Sequence, residues 1–142
     1  MTARAWRVYL GAYTSRGGRG IYASRFDAES GGLAPAVLAA EAPNPTYLAA
    51  HPSGRFLYAV SEARDAGGRR GSAVNAFTVE PDAGGLSFLN RQPSGGSGPC
   101  HVSVDRAGRL ALAANYASGS VSLFPIEEDG RLGAASDTVQ HR

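Results

Sequence analysis

Three polar side chains in this chain are of types that assist reactions at a carbonyl group. They are His101, Glu62 and Asn115. Imidazole titrates near neutral pH, so His101 could act as a general base on an attacking water or as a donor to a developing oxyanion. Glu62 could serve as a base, orient His101 or bind a metal ion. We predict His101 and Glu62 as catalytic residues and Asn115 as a substrate-binding residue.

A second group of residues could bind the rest of a substrate. We predict Tyr47, Arg64 and Arg16 as further substrate-binding residues. The guanidinium fork of arginine matches the oxygens of a phosphate group, and Arg19, Arg69 and Arg70 are near the predicted arginines. Isolated arginines are also common on protein surfaces, so an exposed loop without ligand remains an alternative.

Each of the three central residues also has a structural interpretation. His101 could hydrogen-bond backbone, Glu62 could be a solvated carboxylate or a partner of Arg64, and Asn115 could stabilise a turn. Cys100 precedes His101, and successive strand residues point to opposite faces. We therefore predict that Cys100 packs in the core and forms no catalytic dyad with His101.

An internal repeat predicts the elements that position these residues. Residues 45–60 (PTYLAAHPSGRFLYAV) realign with residues 99–114 (PCHVSVDRAGRLALAA), an offset of 54 residues that keeps proline, glycine and arginine in register. Short strands and glycine turns with a period near 50 residues are typical of a β-propeller. The fold class is therefore all-β, with four-stranded antiparallel blades of which about three are present.

The predicted blades follow from the strand-like runs. Blade 1 covers approximately residues 6–41 and lacks its inner strand, blade 2 covers approximately 44–93, and blade 3 covers approximately 98–142. Blade faces that normally pack on a neighbour would be open to water, which favours association. We expect the missing blades to come from a downstream chain or from self-association.

The repeat also separates structural positions from candidate functional ones. Residues that every blade needs should recur, whereas a site on a ring should break the repeat. The mismatches on one predicted face are Tyr47 against His101, Ser61 against Asn115, and Glu62 against Tyr116. That face collects the loops Tyr13–Arg19, Asn44–Tyr47, Ser61–Arg70, Gly98–His101 and Asn115–Gly119.

Composition argues against several other classes of protein. The net charge is +2, lysine is absent, and the arginines are scattered, so the sequence shows no basic stripe for nucleic acid. One cysteine excludes an internal disulfide framework, and no cluster has zinc-ligand spacing. No run reaches the length of a membrane span. We expect a soluble cytoplasmic protein with no metal, no cofactor, no nucleic-acid partner and no membrane association.

Several motifs in order carry a family resemblance. They are YLGAYT at 9–14, HPSGRFLYAVSE at 51–62, GPCHVSVD at 98–105, ANY at 114–116 and GSV at 119–121. Together they resemble the N-terminal part of the seven-bladed β-propeller lactonases, the 6-phosphogluconolactonase family that is related to carboxymuconate-cyclising enzymes. The resemblance covers nearly all of this chain, but only roughly the first 40% of a full seven-unit member.

The resemblance implies hydrolysis of a sugar lactone, opened by water attack on its carbonyl, with the lactone as a small-molecule partner. It also implies that much of the catalytic set lies in later blades. Two alternatives remain open: a non-catalytic propeller that binds a metabolite or protein on the same face, and a carboxymuconate-type lactone cyclase.

Overall fold

The computed structural model describes residues 5–64 and 70–142; for Ala63, Arg64 and Arg70 it describes the backbone alone. The described residues form three antiparallel sheets. The first contains β1 (Ala5–Gly11), β2 (Gly20–Asp27) and β3 (Val37–Glu41); the second contains β4 (Pro45–Ala50), β5 (Phe56–Arg64), β6 (Arg70–Val79) and β7 (Leu86–Pro93); the third contains β8 (Pro99–Val104), β9 (Leu110–Asn115), β10 (Ser120–Pro125) and β11 (Asp137–Gln140).

Strands that follow one another in sequence are neighbours in each sheet. β4 and β8 form one edge of their sheets, and the first sheet has three strands with β1 at the corresponding edge. The all-β prediction and the four-stranded antiparallel unit are therefore confirmed.

Glycines in register close the turn after each inner strand. Gly54 and Gly108 both have positive φ, at 71° and 68°, a conformation that side chains with a Cβ rarely adopt. Their amides donate to the carbonyls of His51 and Asp105 at 2.9 and 3.0 Å. This geometry explains why the repeat retains glycine at that position.

Two apolar cores flank β5, one on each face of the second sheet. Phe56, Tyr58 and Val60 pack in the core shared with the third sheet. Leu57 and Ala59 pack in the core shared with the first sheet. Alternate residues of a strand point to opposite faces, so a strand buried on both sides needs a continuous apolar run, as found here from 56 to 60.

The outermost faces of the three-sheet stack expose apolar side chains. On β1, Trp6 is 57% exposed, and on β9, Leu112 is 37% exposed. Leu112 aligns in the repeat with Tyr58, which is 0% exposed because the third sheet covers it. The predicted open faces are therefore present. Within the residues that the structure describes, no helix is long and apolar enough to cross a membrane.

Candidate active site

The loops at one end of the sheets meet through direct contacts. This loop end comprises the loops 12–19, 42–44, 94–98 and 116–119 and the strand ends beside them, 45–47, 61–64, 99–101 and 115. The side-chain amide of Asn44 donates to the carbonyl oxygen of Glu62 at 2.9 Å, and its oxygen accepts from the Ser15 amide at 3.2 Å. The Tyr116 amide donates to the Gly98 carbonyl at 2.8 Å. The first two bonds join loops of the first and second sheets, and the third joins loop 94–98 to loop 116–119.

His101 and Tyr47 are in contact at the loop end. Their ring centroids are 4.4 Å apart, with the planes inclined by 45°. Both rings are exposed, Tyr47 to 43%. The hydroxyl of Thr46 donates to the carbonyl of Pro99 at 3.0 Å and ties β4 to β8 directly beside this pair. The imidazole of His101 is therefore accessible to a ligand from the edge formed by β4 and β8.

Glu62 lies near the end of β5, where it pairs with Ser72 of β6. Its side chain is partly buried. The Oε1 atom is shielded from solvent and has no hydrogen-bond partner in the described part of the chain. Leaving a buried acceptor without a donor costs about 1 to 3 kcal/mol.

Asn115 ends β9 and is 2% exposed. Its amide nitrogen donates to the Ser94 carbonyl at 3.0 Å and to the Ser120 hydroxyl at 3.2 Å. Its Oδ1 atom, like Oε1 of Glu62, is buried with no partner among the described residues. The prediction that Asn115 could stabilise a loop and the prediction that it could bind a substrate are thus both compatible with this geometry.

Glu62 and Asn115 face the same space between the second and third sheets. Glu62 continues the series Phe56, Tyr58 and Val60 on β5, and Asn115 continues the series Ala111 and Ala113 on β9; both series line one core. A short chain of contacts also joins them. Ser72 pairs with Glu62 and accepts from the Ser94 amide at 2.9 Å, and Ser94 accepts from Asn115.

The predicted arginines are less well connected to this site. Arg16 is exposed in a short 3-10 turn, Thr14–Arg16, and the described contacts do not link it to His101. The side chains of Arg64 and Arg70, and the whole of Arg69, lie outside the described residues. Arg19 is in an ion pair with Glu41 at 2.6 Å, and the hydrogen bond from this pair raises the pKa of the guanidinium.

The prediction that Cys100 packs in the core is wrong, because Cys100 is exposed. The cause is a β-bulge. Pro99 pairs with Asn115 and His101 pairs with Ala114, so Cys100 has no opposite residue and the alternation of faces is broken. The same irregularity occurs between Pro45 and Tyr47 in β4. The repeated bulge thus places Tyr47 and His101 at equivalent positions.

Sequence reasoning did not foresee the contact between Tyr47 and His101 or the role of Ser94. The equivalence of Tyr47 and His101 in the repeat was a usable signal, because equivalent positions on adjacent inner strands must lie side by side. In the described residues, no group of three or more His, Cys, Asp or Glu side chains could hold a metal ion.

Comparison with known proteins identifies the family. The family model for the seven-bladed β-propeller lactonases matches residues 7–142. The chain belongs to this lactonase family. The β-propeller prediction and the resemblance are therefore confirmed, and the three sheets are consecutive blades of such a ring.

Individual relatives of this lactonase-family chain support the same assignment. It is 41% identical over 133 residues to 6-phosphogluconolactonase of Bacillus subtilis, covering 94% of this chain and 37% of that protein. It is 31% identical to 6-phosphogluconolactonase of Formosa agariphila, covering 88% of this chain and 35% of that one. The chain therefore spans little more than a third of the length of the curated relatives it matches.

A solved structure agrees with the fold of this lactonase-family chain. The periplasmic gluconolactonase of Pseudomonas aeruginosa superposes with a TM-score of 0.85 at 27% identity, over 96% of this chain and 39% of that one. Because that protein is named periplasmic, the cytoplasmic location stays a prediction for this chain.

Proposed function

We propose that this protein hydrolyses a sugar lactone at the loop end of its β-propeller, with His101 as the residue that assists water attack. The observation that carries the proposal is the exposed imidazole of His101 on the inner strand β8, held against Tyr47. Membership of the lactonase family and the names of two relatives support the reaction class.

In the proposed mechanism, a water molecule attacks the lactone carbonyl while His101 removes its proton. The carbonyl oxygen becomes an oxyanion, which donors at the site stabilise. Collapse of the tetrahedral intermediate breaks the bond to the ring oxygen, which receives the proton and leaves as a hydroxyl group of the open hydroxy acid. Glu62 would act as a second base.

The two unpartnered oxygens at the loop end suit a ligand rich in hydroxyl donors. Oε1 of Glu62 and Oδ1 of Asn115 are both acceptors that lack a donor in the described part of the chain. A sugar lactone carries several hydroxyl groups, each of which can donate. Both oxygens are shielded from solvent, so a hydroxyl group of the ligand would reach them only after the side chains around them rearrange, and would then supply the missing donor.

Arg16 and Arg64 are the proposed phosphate-binding residues, because a guanidinium group matches phosphate oxygens. One relative is named for a phosphorylated sugar lactone and another for gluconolactone. The exposed Arg16 in the loop 12–19 favours the phosphorylated substrate. Comparison of 6-phosphogluconolactone with glucono-lactone as substrates tests this choice, since loss of Arg16 should affect only the former.

The test of the proposed function is lactone hydrolysis by the protein produced from its complete reading frame. Glu62→Gln and His101→Ala should each lower kcat/KM by roughly 10²-fold or more, a usual effect for general acid–base residues. Glu128→Gln is the matched control, because Glu128 is an exposed carboxylate at the opposite end. Wild-type rates in both loop-end variants would refute the proposed roles.

The 142-residue chain alone should show no lactonase activity above spontaneous hydrolysis. The family has seven blades, whereas this chain forms three sheets, so a substrate would meet only part of the channel wall. A robust rate from a monodisperse monomer of this chain would contradict that expectation and place the whole site within residues 1–142.

A further inference from the structure

The position shared by Tyr47 and His101 recurs on neighbouring inner strands. Each residue follows a β-bulge, between Pro45 and Tyr47 on β4 and between Pro99 and His101 on β8. Bulges re-aim side chains and are frequent beside active sites. The two bulges put Tyr47 and His101 at equivalent positions of neighbouring inner strands, where their rings are in contact.

The backbone beside the pair fixes the distance between the two rings. The Thr46 hydroxyl donates to the Pro99 carbonyl at 3.0 Å, one residue before Tyr47 and two before His101. This bond holds β4 against β8 at the loop end. The centroid separation of 4.4 Å is at the short end of the range for favourable aromatic pairs, so the rings restrict one another's rotation.

An imidazole that transfers protons usually needs a neighbour that fixes its orientation, often a carboxylate or a carbonyl group. Among the described side chains, the contact that the structure gives the imidazole of His101 is the ring of Tyr47. Glu62 is the carboxylate that was predicted as a possible orienting group for His101. It points instead into the space between the second and third sheets. The orienting task therefore falls to Tyr47.

We infer that Tyr47 is a positioning residue: its ring holds the imidazole of His101 in the orientation needed to accept a proton from the attacking water. This inference rests on the proposed function and differs from the predicted substrate-binding role of Tyr47. A positioning residue acts on kcat, because it changes the alignment of the reacting groups, whereas a substrate contact acts first on KM.

The test compares Tyr47→Phe, which keeps a ring, with Tyr47→Leu and Tyr47→Met, which remove it. Phe88→Leu is the control, because Phe88 is an exposed aromatic residue on the outermost strand of the same sheet. The measurements use the protein from the complete reading frame. The Leu and Met variants should lower kcat roughly tenfold and leave KM within twofold of the wild-type value. Tyr47→Phe should keep the kcat of the wild type. A raised KM at unchanged kcat in the Leu and Met variants would overturn the inference in favour of substrate binding.

A second measurement on the same variants does not depend on lactonase activity. The His101 ring protons, assigned by their loss in His101→Ala, should be shifted upfield in the NMR spectrum of the wild type and of Tyr47→Phe by the adjacent ring. The shift should disappear in Tyr47→Leu and Tyr47→Met. If the His101 signals do not move, the contact is absent in solution and the inference is wrong.

The two measurements separate failure of the inference from failure of the proposed function. Full activity in His101→Ala, together with a normal ring shift, would refute the role of His101 and not the contact. A ring shift that disappears in Tyr47→Leu while kcat stays at the wild-type value would refute positioning while leaving the proposed function intact.

Discussion

The two ends of the molecule differ in whether their buried polar atoms have hydrogen-bond partners. At the turn end, which comprises residues 51–55, 80–85, 105–109 and 127–131, side chains bridge neighbouring sheets. His51 Nε2 lies 2.9 Å from the Gly108 carbonyl, and the hydroxyl groups of Tyr58 and Tyr9 donate to the carbonyls of Gly130 and Gly84 at 2.9 and 2.8 Å. At the loop end, Glu62 and Asn115 each bury an oxygen without a described partner.

Carboxylates at the turn end are also satisfied by backbone donors. Amides of Leu110 and Arg109 donate to Asp105 at 2.9 and 2.7 Å, and these bonds lower the pKa of its carboxyl group. The Arg131 amide has the same effect on the pKa of Asp129. Paired groups stabilise a fold, whereas unpaired ones destabilise it unless a ligand meets them. The difference supports the proposal that the turn end stabilises the fold and the loop end binds the substrate.

The largest effect on stability is expected from Tyr58→Phe. The change leaves the buried Gly130 carbonyl without its donor, which should lower the free energy of unfolding by about 2 kcal/mol. Lactonase activity of the folded protein should not change. Urea denaturation measures the first effect and initial rates measure the second; a large loss of kcat/KM in folded Tyr58→Phe would break the division between the ends.

Asn115→Ser should have a smaller effect, and at the other end. Serine occupies the equivalent position 61, so the fold should tolerate it, but the acceptor oxygen offered to a ligand is lost. We expect kcat/KM to fall about tenfold. Asn75→Ser is the control, because Asn75 is also a buried amide and donates to Ser61 at 2.8 Å. Equal losses of activity in both variants would indicate a general structural defect.

The free energy of unfolding at high pH should depend on the ionisation of Tyr58, at the turn end. Burial and the nearby Asp129 carboxylate raise the pKa of Tyr58 from its ordinary value near 10 to about 12. Its contribution is therefore complete below about pH 10 and is lost as the pH rises toward 12. The stability difference between the wild type and Tyr58→Phe should shrink over that interval in denaturation curves; a constant difference would contradict the assignment.

The smallest effect is expected from Arg19→Gln at the loop end. Its ion pair with Glu41 is exposed on both sides, so its loss should leave the urea denaturation midpoint almost unchanged. Any small difference should vanish at high salt. A clear drop of the midpoint that persists in salt would show that this pair supports the loop-end structure.

The repeat allowed the architecture to be predicted from sequence, because the second and third sheets share matching apolar positions and the same glycine turn after the inner strand. The sequence shows no strand-like run before β1 that corresponds to the inner strand at 45–50. A first sheet of three strands was therefore predicted. The position of Cys100 could not be derived in this way. A bulge adds one unpaired residue to the ladder, and the alternation rule that places side chains then fails locally.

The candidate site was only partly accessible to sequence reasoning. Breaks in the repeat predicted the loop-end residues, but the unpaired state of Asn115 depends on which neighbours take its hydrogen bonds, and these come from residues 94 and 120. His51 begins a turn, where its Nδ1 accepts from the Ser53 amide at 3.1 Å, but its Nε2 also bridges to the next sheet, which the sequence of the turn does not reveal.

The most direct test compares the two histidines in this chain that occupy opposite ends. His51→Ala and His101→Ala should be measured together for kcat/KM on a sugar lactone and for the free energy of unfolding, in the protein from the complete reading frame. We predict that His51→Ala lowers stability by about 1 kcal/mol with activity retained, and that His101→Ala lowers kcat/KM by roughly 10²-fold with stability retained. If His51→Ala lost the activity of the folded protein, or His101→Ala kept it, the division of labour between the two ends would be wrong.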